Sequence, residues 1–168
     1  MKKIILAALI STVVSVPALA ADQKLSVGGG YGFGNGGVIS VHGDYDISDM
    51  TKTPVKVRVG WEHYTLDYGF ANSDYSWSYN VYYGGAYYDL NQQLKLGDKI
   101  HPFAGLGFGF GSVSCTGTVY CNSGYYSSPT VGGFYYIGGV QYNVTPNIDA
   151  EVSLSQWAGF AIGANLKF

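Results

Sequence analysis

The sequence predicts an all-β fold, an eight-stranded antiparallel up-and-down transmembrane β-barrel, and three observations predict it. Most of the chain alternates apolar with small or polar residues at period two, the pattern of a strand lying between two different environments. Only 12% of the 168 residues are charged, whereas 25 are Gly and 16 are Tyr; an average soluble domain is about 25% charged. Finally, residues 1–20 read as a signal peptide, with Lys2 and Lys3 ahead of an apolar stretch from Ile4 to Val16, then Pro17 and an Ala18-Leu19-Ala20 cleavage site. The barrel is assigned to residues 21–168. No further apolar run of about 18 residues follows, so a membrane span must be built from strands. A net charge of −2 gives no basic footprint for nucleic acid.

Each strand is read from its alternation. In the first, Leu25, Val27, Gly29, Tyr31 and Phe33 share a face. In the second, Ile39, Val41, Tyr45 and Ile47 alternate with Ser40, His42, Asp44 and Asp46. The third sets Val55, Val57, Val59 and Trp61 against Lys56, Arg58, Gly60 and Glu62. The fourth is read with Tyr75, Trp77, Tyr79, Val81, Tyr83 and Tyr87 facing lipid and Tyr82 facing inward. The fifth carries Ala104, Leu106, Phe108 and Phe110 against Gly105, Gly107 and Gly109. The sixth carries Phe134, Tyr136, Val140 and Tyr142, and the seventh carries Ile148, Ala150, Val152 and Leu154 against Asp149, Glu151, Ser153 and Ser155. The eighth is the clearest: Phe160, Ile162, Ala164, Leu166 and Phe168 occupy every second position. Transmembrane strands need about 9–11 residues each, and an even number of them places both termini on one side. Short turns are then expected at residues 48–53, 91–99 and 144–147 on the periplasmic side. Extracellular loops are expected at 34–37, 67–74, 112–129 and 156–159.

This composition suits a barrel because lipid forces every backbone polar group to pair internally and leaves the outer wall uncharged. Trp61, Trp77 and Trp157 are expected in an aromatic girdle. Gly105, Gly107, Gly109 and Gly111 form an inward stripe, read either as room for Tyr82 and Tyr88 or as bends. Charges in a narrow lumen must be paired. A hairpin centred on Met50 sets Asp44 opposite Lys56 and His42 opposite Arg58. The expected lumen network is therefore Asp44, Lys56, Arg58, Glu62 and Glu151, closing the lumen as a plug. An ion path is the alternative, although water-filled channels belong to barrels of about 16–18 strands.

Cys115 and Cys121 lie in the third extracellular loop, where an oxidising compartment favours a disulfide. A zinc site would need further ligands nearby. The stretch Gly32-Phe33-Gly34-Asn35-Gly36-Gly37 spells G-x-G-x-x-G, but no helical pattern follows it, so no dinucleotide is implied. No cofactor and no metal are expected. His42, His63 and His101 show no spacing that joins a nucleophile to a base, which weighs against a lipid-modifying enzyme.

The alternating segments, the turn at Tyr142-Asn143-Val144-Thr145-Pro146-Asn147 and the strand ending in Phe168 resemble small Gram-negative outer-membrane β-barrels of the OmpX/Ail and opacity types and the membrane domain of OmpA. Pro102-Phe103-Ala104-Gly105-Leu106-Gly107 and Val57-Arg58-Val59-Gly60-Trp61-Glu62 are similar to strands of that group. The resemblance implies an outer-membrane location, among lipid and lipopolysaccharide, and a non-enzymatic structural or surface-interaction role. It also implies that Phe160, Ile162, Leu166 and Phe168 form the signal read by the barrel-assembly machinery. No cell-wall-binding domain is expected after Phe168. The short loops count against the tall extracellular sheet of some adhesive members. The third loop, with Tyr120, Tyr125 and Tyr126, is the expected contact surface for a host or surface ligand.

Overall fold

The computed structural model describes residues 23–34, 37–70, 73–117 and 130–168. Eight strands close into one antiparallel barrel in sequence order: β1 (Leu25–Gly32), β2 (Val38–Asp46), β3 (Val55–Phe70), β4 (Ser73–Asp89), β5 (Ile100–Gly117), β6 (Thr130–Thr145), β7 (Ile148–Ser155) and β8 (Gly159–Lys167). β1 pairs with β8 along Ser26↔Lys167 to Gly32↔Ala161, so the sheet has no edge at membrane depth on that side. Closure continues past the ladder, where the Phe168 N–H donates to the Leu25 carbonyl at 2.8 Å.

The distribution of side chains is inverted relative to a soluble protein. Leu106 and Phe134 are 71% and 70% exposed, whereas Asp44 and Arg58 are 1% and 3% exposed. The cause is the solvent. The outer wall of β1, β2 and β5–β8 is built from the apolar positions of the alternation, and their alternates, mostly small or polar but including Val38, Phe103, Tyr135 and Ile137, point into the lumen.

Two of the connections expected on the periplasmic side share one device. A single helical turn, α1 (Ser48–Thr51) or α2 (Asn91–Leu94), follows a strand-ending aspartate. The Asp46 carboxylate accepts from the Ser48 N–H and the Asp89 carboxylate from the Asn91 N–H, both at 2.8 Å. Each turn ends on a lysine in the left-handed region, Lys52 at φ 56° and Lys95 at φ 52°. The α1 turn corrects the expected hairpin. Ile47 N–H donates to the Val55 carbonyl at 3.1 Å, which shifts the pairing so that Asp44 opposes Arg58, Asp46 opposes Lys56 and His42 opposes Gly60. The faces are unchanged, because the shift is two residues.

Three further expectations are corrected. First, β4 is turned over: Tyr83 and Tyr87 are buried in the lumen and Tyr82 is exposed on the outer wall. Antiparallel pairing with β3 forces this, since Tyr82 opposes outward Trp61 and Tyr83 opposes inward Gly60. Second, the stretch 67–74 is mostly strand, paired from Asp67↔Ser76 to Phe70↔Ser73, and β5 runs on to Gly117. Third, the girdle keeps only one of its three tryptophans. Trp77 pairs with Leu66, beyond the Trp61 row. Trp157 sits inside the barrel mouth, stacked 5.2 Å from Tyr135. Room for it comes from the glycine stripe: a Cβ on Gly109 would strike the Trp157 ring, and one on Gly105 would lie 2.5 Å from Tyr87 Cβ. The stripe therefore serves Tyr87 and Trp157, not Tyr82 and Tyr88.

The strands fall into two length classes. β1, β2, β7 and β8 have 8, 9, 8 and 9 residues, whereas β3, β4, β5 and β6 have 16, 17, 18 and 16. The second class exceeds the span requirement of about 9–11 residues. Half of the barrel wall thus continues beyond the membrane as a tall sheet, which corrects the expected low rim.

Candidate functional site

The lumen is organised around Arg58. Its Nε and Nη2 donate to the two oxygens of Asp44 at 2.7 and 2.9 Å, and Nη1 and Nη2 donate to the two oxygens of Glu151 at 2.9 and 2.8 Å. One planar guanidinium therefore bridges two carboxylates from different walls, a fork geometry that lysine could not supply. The remaining lone pairs are also engaged. Tyr87 Oη donates to Asp44 at 3.0 Å, and Gln141 and Asn165 each donate to Glu151 at 2.9 Å. His42 Nε2 lies 2.8 Å from Asn165 Oδ1. The rings of Tyr87 and Phe103 lie 5.0 and 5.5 Å from the guanidinium carbon, within cation–π range.

Of the residues expected in this network, the structure gathers Asp44, Arg58 and Glu151. Lys56 stands aside, its ammonium 6.0 Å from the Tyr87 ring centre. Glu62 is buried higher in the lumen, beside a cavity of about 20 Å³ that Tyr135, Ser153 and Ser155 also line, close to the size of one water molecule. The Ser155 and Tyr135 hydroxyls lie beside the Glu62 carboxyl, but Glu62 Oε2 has no well-aligned hydrogen-bond donor among the described residues and no cation in contact. Tyr87, Gln141 and Asn165 join the network without having been singled out by the sequence. Parity alone places Gln141 and Asn165 inward, opposite Glu151 and Asp149, but polar residues without charge give no signal of their own. A second pair closes the periplasmic end: Lys167 Nζ lies 2.8 Å from Asp149 Oδ1 and donates to Asn143 at 3.1 Å.

A buried carboxylate with an unpartnered oxygen costs more than the neutral amide that replaces it. Glu62→Gln is therefore expected to raise the unfolding free energy by about 1 kcal/mol or more. Urea unfolding of the detergent-refolded barrel checks this, and a clear loss of stability would show that partners accepting no amide, such as the Ser155 and Tyr135 hydroxyls, hold the carboxyl.

Above Glu62 the lumen is sealed by largely apolar side chains. Tyr83, Tyr135 and Trp157 stack at 4.3 and 5.2 Å. Val38, Tyr64, Val81, Ala158 and Ala161 form a buried cluster with Leu66 and Tyr79 against it. Tyr64 and Tyr79 stack at 4.5 Å. These residues come from the inner face of β3, β4 and β6, from the upper ends of β2 and β8, and from the loop before β8. The loops are tied together, since Gly34 N–H donates to the Ala158 carbonyl at 3.1 Å and Phe33 N–H to the Phe160 carbonyl at 2.7 Å.

The polarity of the tall sheet reverses along its length. On the outer wall the apolar run ends at Trp61 on β3, Tyr82 on β4 and Phe110 on β5, which are paired across the sheet. The next outward positions are His63, Asn80 and Ser112, then Thr65, Ser78 and Ser114, again paired in rows. Beyond the Trp61 row the sheet is thus polar outside and apolar inside, as a sheet in water must be. Trp61 and Tyr82 fit the girdle that marks the boundary.

The expected contact residues Tyr120, Tyr125 and Tyr126 lie outside the described residues, as does Cys121. Cys115 stands on β5 opposite Trp77. Phe160 and Ile162 are exposed on the outer wall of β8, and Phe168 is half-buried.

Comparison with known proteins agrees with this geometry. Residues 6–167 match the family profile described as the outer membrane protein beta-barrel domain. No curated protein sequence matches the chain. Among solved structures, Neisserial surface protein A is similar at 18% identity, with 86% of this chain and 94% of that one covered and a TM-score of 0.55. Ail, the attachment invasion locus protein of Yersinia pestis, is similar at 17% identity, covering 86% and 97%, with a TM-score of 0.52. The N-terminal β-barrel domain of Pseudomonas aeruginosa OprF is similar at 14% identity, covering 86% and 96%, with a TM-score of 0.54. Likeness at this identity concerns the fold, and the profile match over nearly the whole chain supplies the family: the protein belongs to the outer-membrane β-barrel proteins and resides in the outer membrane.

Proposed function

We propose that this protein is a non-enzymatic surface-interaction barrel, closed to solutes by its own side chains, whose contact surface is the tall β3–β6 sheet with its third loop. The observation that carries the reading is the length of β3–β6 (16–18 residues). Spanning the membrane does not require those extra residues, and they hold a polar face outside the bilayer. The lumen supports the plug: Arg58 and its partners fill the middle, and the Tyr83–Tyr135–Trp157 stack fills the mouth. The three histidines are taken up by Asn165, Asn80 and Asp89, which favours a structural over an enzymatic reading. Ail, similar in fold, is named for attachment and has been crystallised with the heparin analogue sucrose octasulfate.

In this reading residues 1–20 are removed on export, and Phe160, Ile162, Leu166 and Phe168 present the terminal strand to the barrel-assembly machinery. Lipid and lipopolysaccharide surround the outer wall. Cys115, near the upper end of β5, is joined to Cys121 in the third loop, where Tyr120, Tyr125 and Tyr126 add contact area. Deleting residues 114–127 is expected to reduce adhesion of expressing cells to host surfaces while leaving heat-dependent gel mobility unchanged. Planar-bilayer recording of the purified protein is expected to show no steady conductance. A steady single-channel current would instead favour a narrow solute channel.

A further inference from the structure

We infer that the outer face of the extracellular β3–β5 sheet is built to bind an uncharged glycan and not a polyanion; this rests on the surface-interaction reading above. In the two rows beyond the Trp61–Tyr82–Phe110 row, the outward positions are His63 and Thr65 on β3, Asn80 and Ser78 on β4, and Ser112 and Ser114 on β5; further up the same face the register brings Asp67 and Asp74. None of these six carries a fixed charge, and the fixed charges that the upper rows add, Asp67 and Asp74, are both negative and would repel a polyanion. The absence of cations extends to the sequence of every extracellular connection. No Lys or Arg occurs between Lys24 and Lys52, between Arg58 and Lys95, or between Lys99 and Lys167. Recognition of sulfate or phosphate relies on Arg and Lys, and this end of the chain's topology supplies neither.

The face does offer regularly spaced hydroxyl and amide groups. They are partly pre-ordered by bonds among themselves: His63 Nδ1 lies 3.1 Å from Asn80 Oδ1, and Thr65 Oγ1 lies 3.3 Å from Ser78 Oγ. Hydroxyls both donate and accept, so such an array can match sugar hydroxyls at pleated-sheet spacing. At its lower border Trp61 stacks on His63 at 5.8 Å, and Tyr82 and Phe110 present exposed rings, apolar shelves of the kind that amphipathic rings provide. A protein partner fits less well. Interface hot spots are enriched in Trp, Tyr and Arg, and the outward positions named above the Trp61 row have none of these.

The test uses the full barrel in detergent micelles, probed on an array of uncharged oligosaccharides beside heparin, at low and high salt. The expected result is retention of at least one uncharged oligosaccharide with no salt dependence. The double variant Ser78→Ala/Asn80→Ala, with unchanged heat-dependent gel mobility, should weaken it about tenfold, the loss of roughly two hydrogen bonds. Salt-sensitive binding of heparin alone would overturn the inference and leave the surface-interaction reading standing. Binding confined to protein ligands, in adhesion assays where no glycan is retained, would do the same. Failure to bind any ligand, together with no adhesion by expressing cells, would overturn both.

Discussion

Replacing Arg58 by Met is expected to cost about 3–5 kcal/mol of unfolding free energy, the penalty for leaving buried charges without their partner. The guanidinium makes the ionic contacts that hold Asp44 against Glu151, and both carboxylates are almost fully buried. With Met in its place they face each other across a narrow lumen, with Gln141, Asn165 and Tyr87 still donating but no fixed cation in contact. Arg58→Lys should recover only part of the loss, because an ammonium cannot fork toward two carboxylates at once. The informative control is Arg58→Met with Asp44→Leu and Glu151→Leu, which removes the charges together and should restore much of the stability. Urea titration of the refolded barrel reads all three. If the single Met variant unfolds at the wild-type midpoint, the guanidinium does not hold the lumen together.

Much of this architecture is legible in the sequence because a barrel imposes a strict period. On β5, β7 and β8, apolar residues alternate with Gly or polar residues, so the two faces differ in hydropathy and the parity is unambiguous. On β4 they do not differ. Tyr82 and Tyr88 on one face resemble Tyr83 and Tyr87 on the other, because tyrosine suits both a lipid boundary and a filled lumen. Only pairing with β3, where Arg58 and Glu62 fix the inward side, decides the orientation. The register at the β2–β3 hairpin escapes for a different reason: the α1 turn absorbs residues that a tight turn would leave in the ladder, and nothing in the period reports that. The tall sheet escapes because its residues are polar. Asp67, Ser73 and Asp74 read as loop when the strand is assumed to stay in lipid. The reversal of polarity after Trp61 is itself a sequence signal, visible once the strand is allowed to leave the membrane. Among the lumen residues, the charged members can be read from the sequence, whereas Gln141, Asn165 and Tyr87 emerge only when the walls face one another.

That reversal supplies the sharpest test of where the bilayer ends. Leu106 and Ser114 are both exposed, outward positions of β5, differing in depth. Leu106→Arg is expected to destabilise the folded barrel in phospholipid vesicles by about 2–4 kcal/mol, the cost of an arginine near the midplane of a transmembrane barrel. Ser114→Arg lies beyond the aromatic row at Phe110 and should stay within about 0.5 kcal/mol of wild type, as exposed substitutions in water do. The side chain introduced, the strand and the face are the same, so the difference isolates the solvent. In a soluble barrel both changes would be nearly neutral, because neither residue is packed in a core. Equal and small effects would therefore remove the outer wall of β5 from hydrocarbon, whereas equal and large effects would carry the bilayer up to Ser114 and leave the polar rows of His63 and Thr65 without water to explain them.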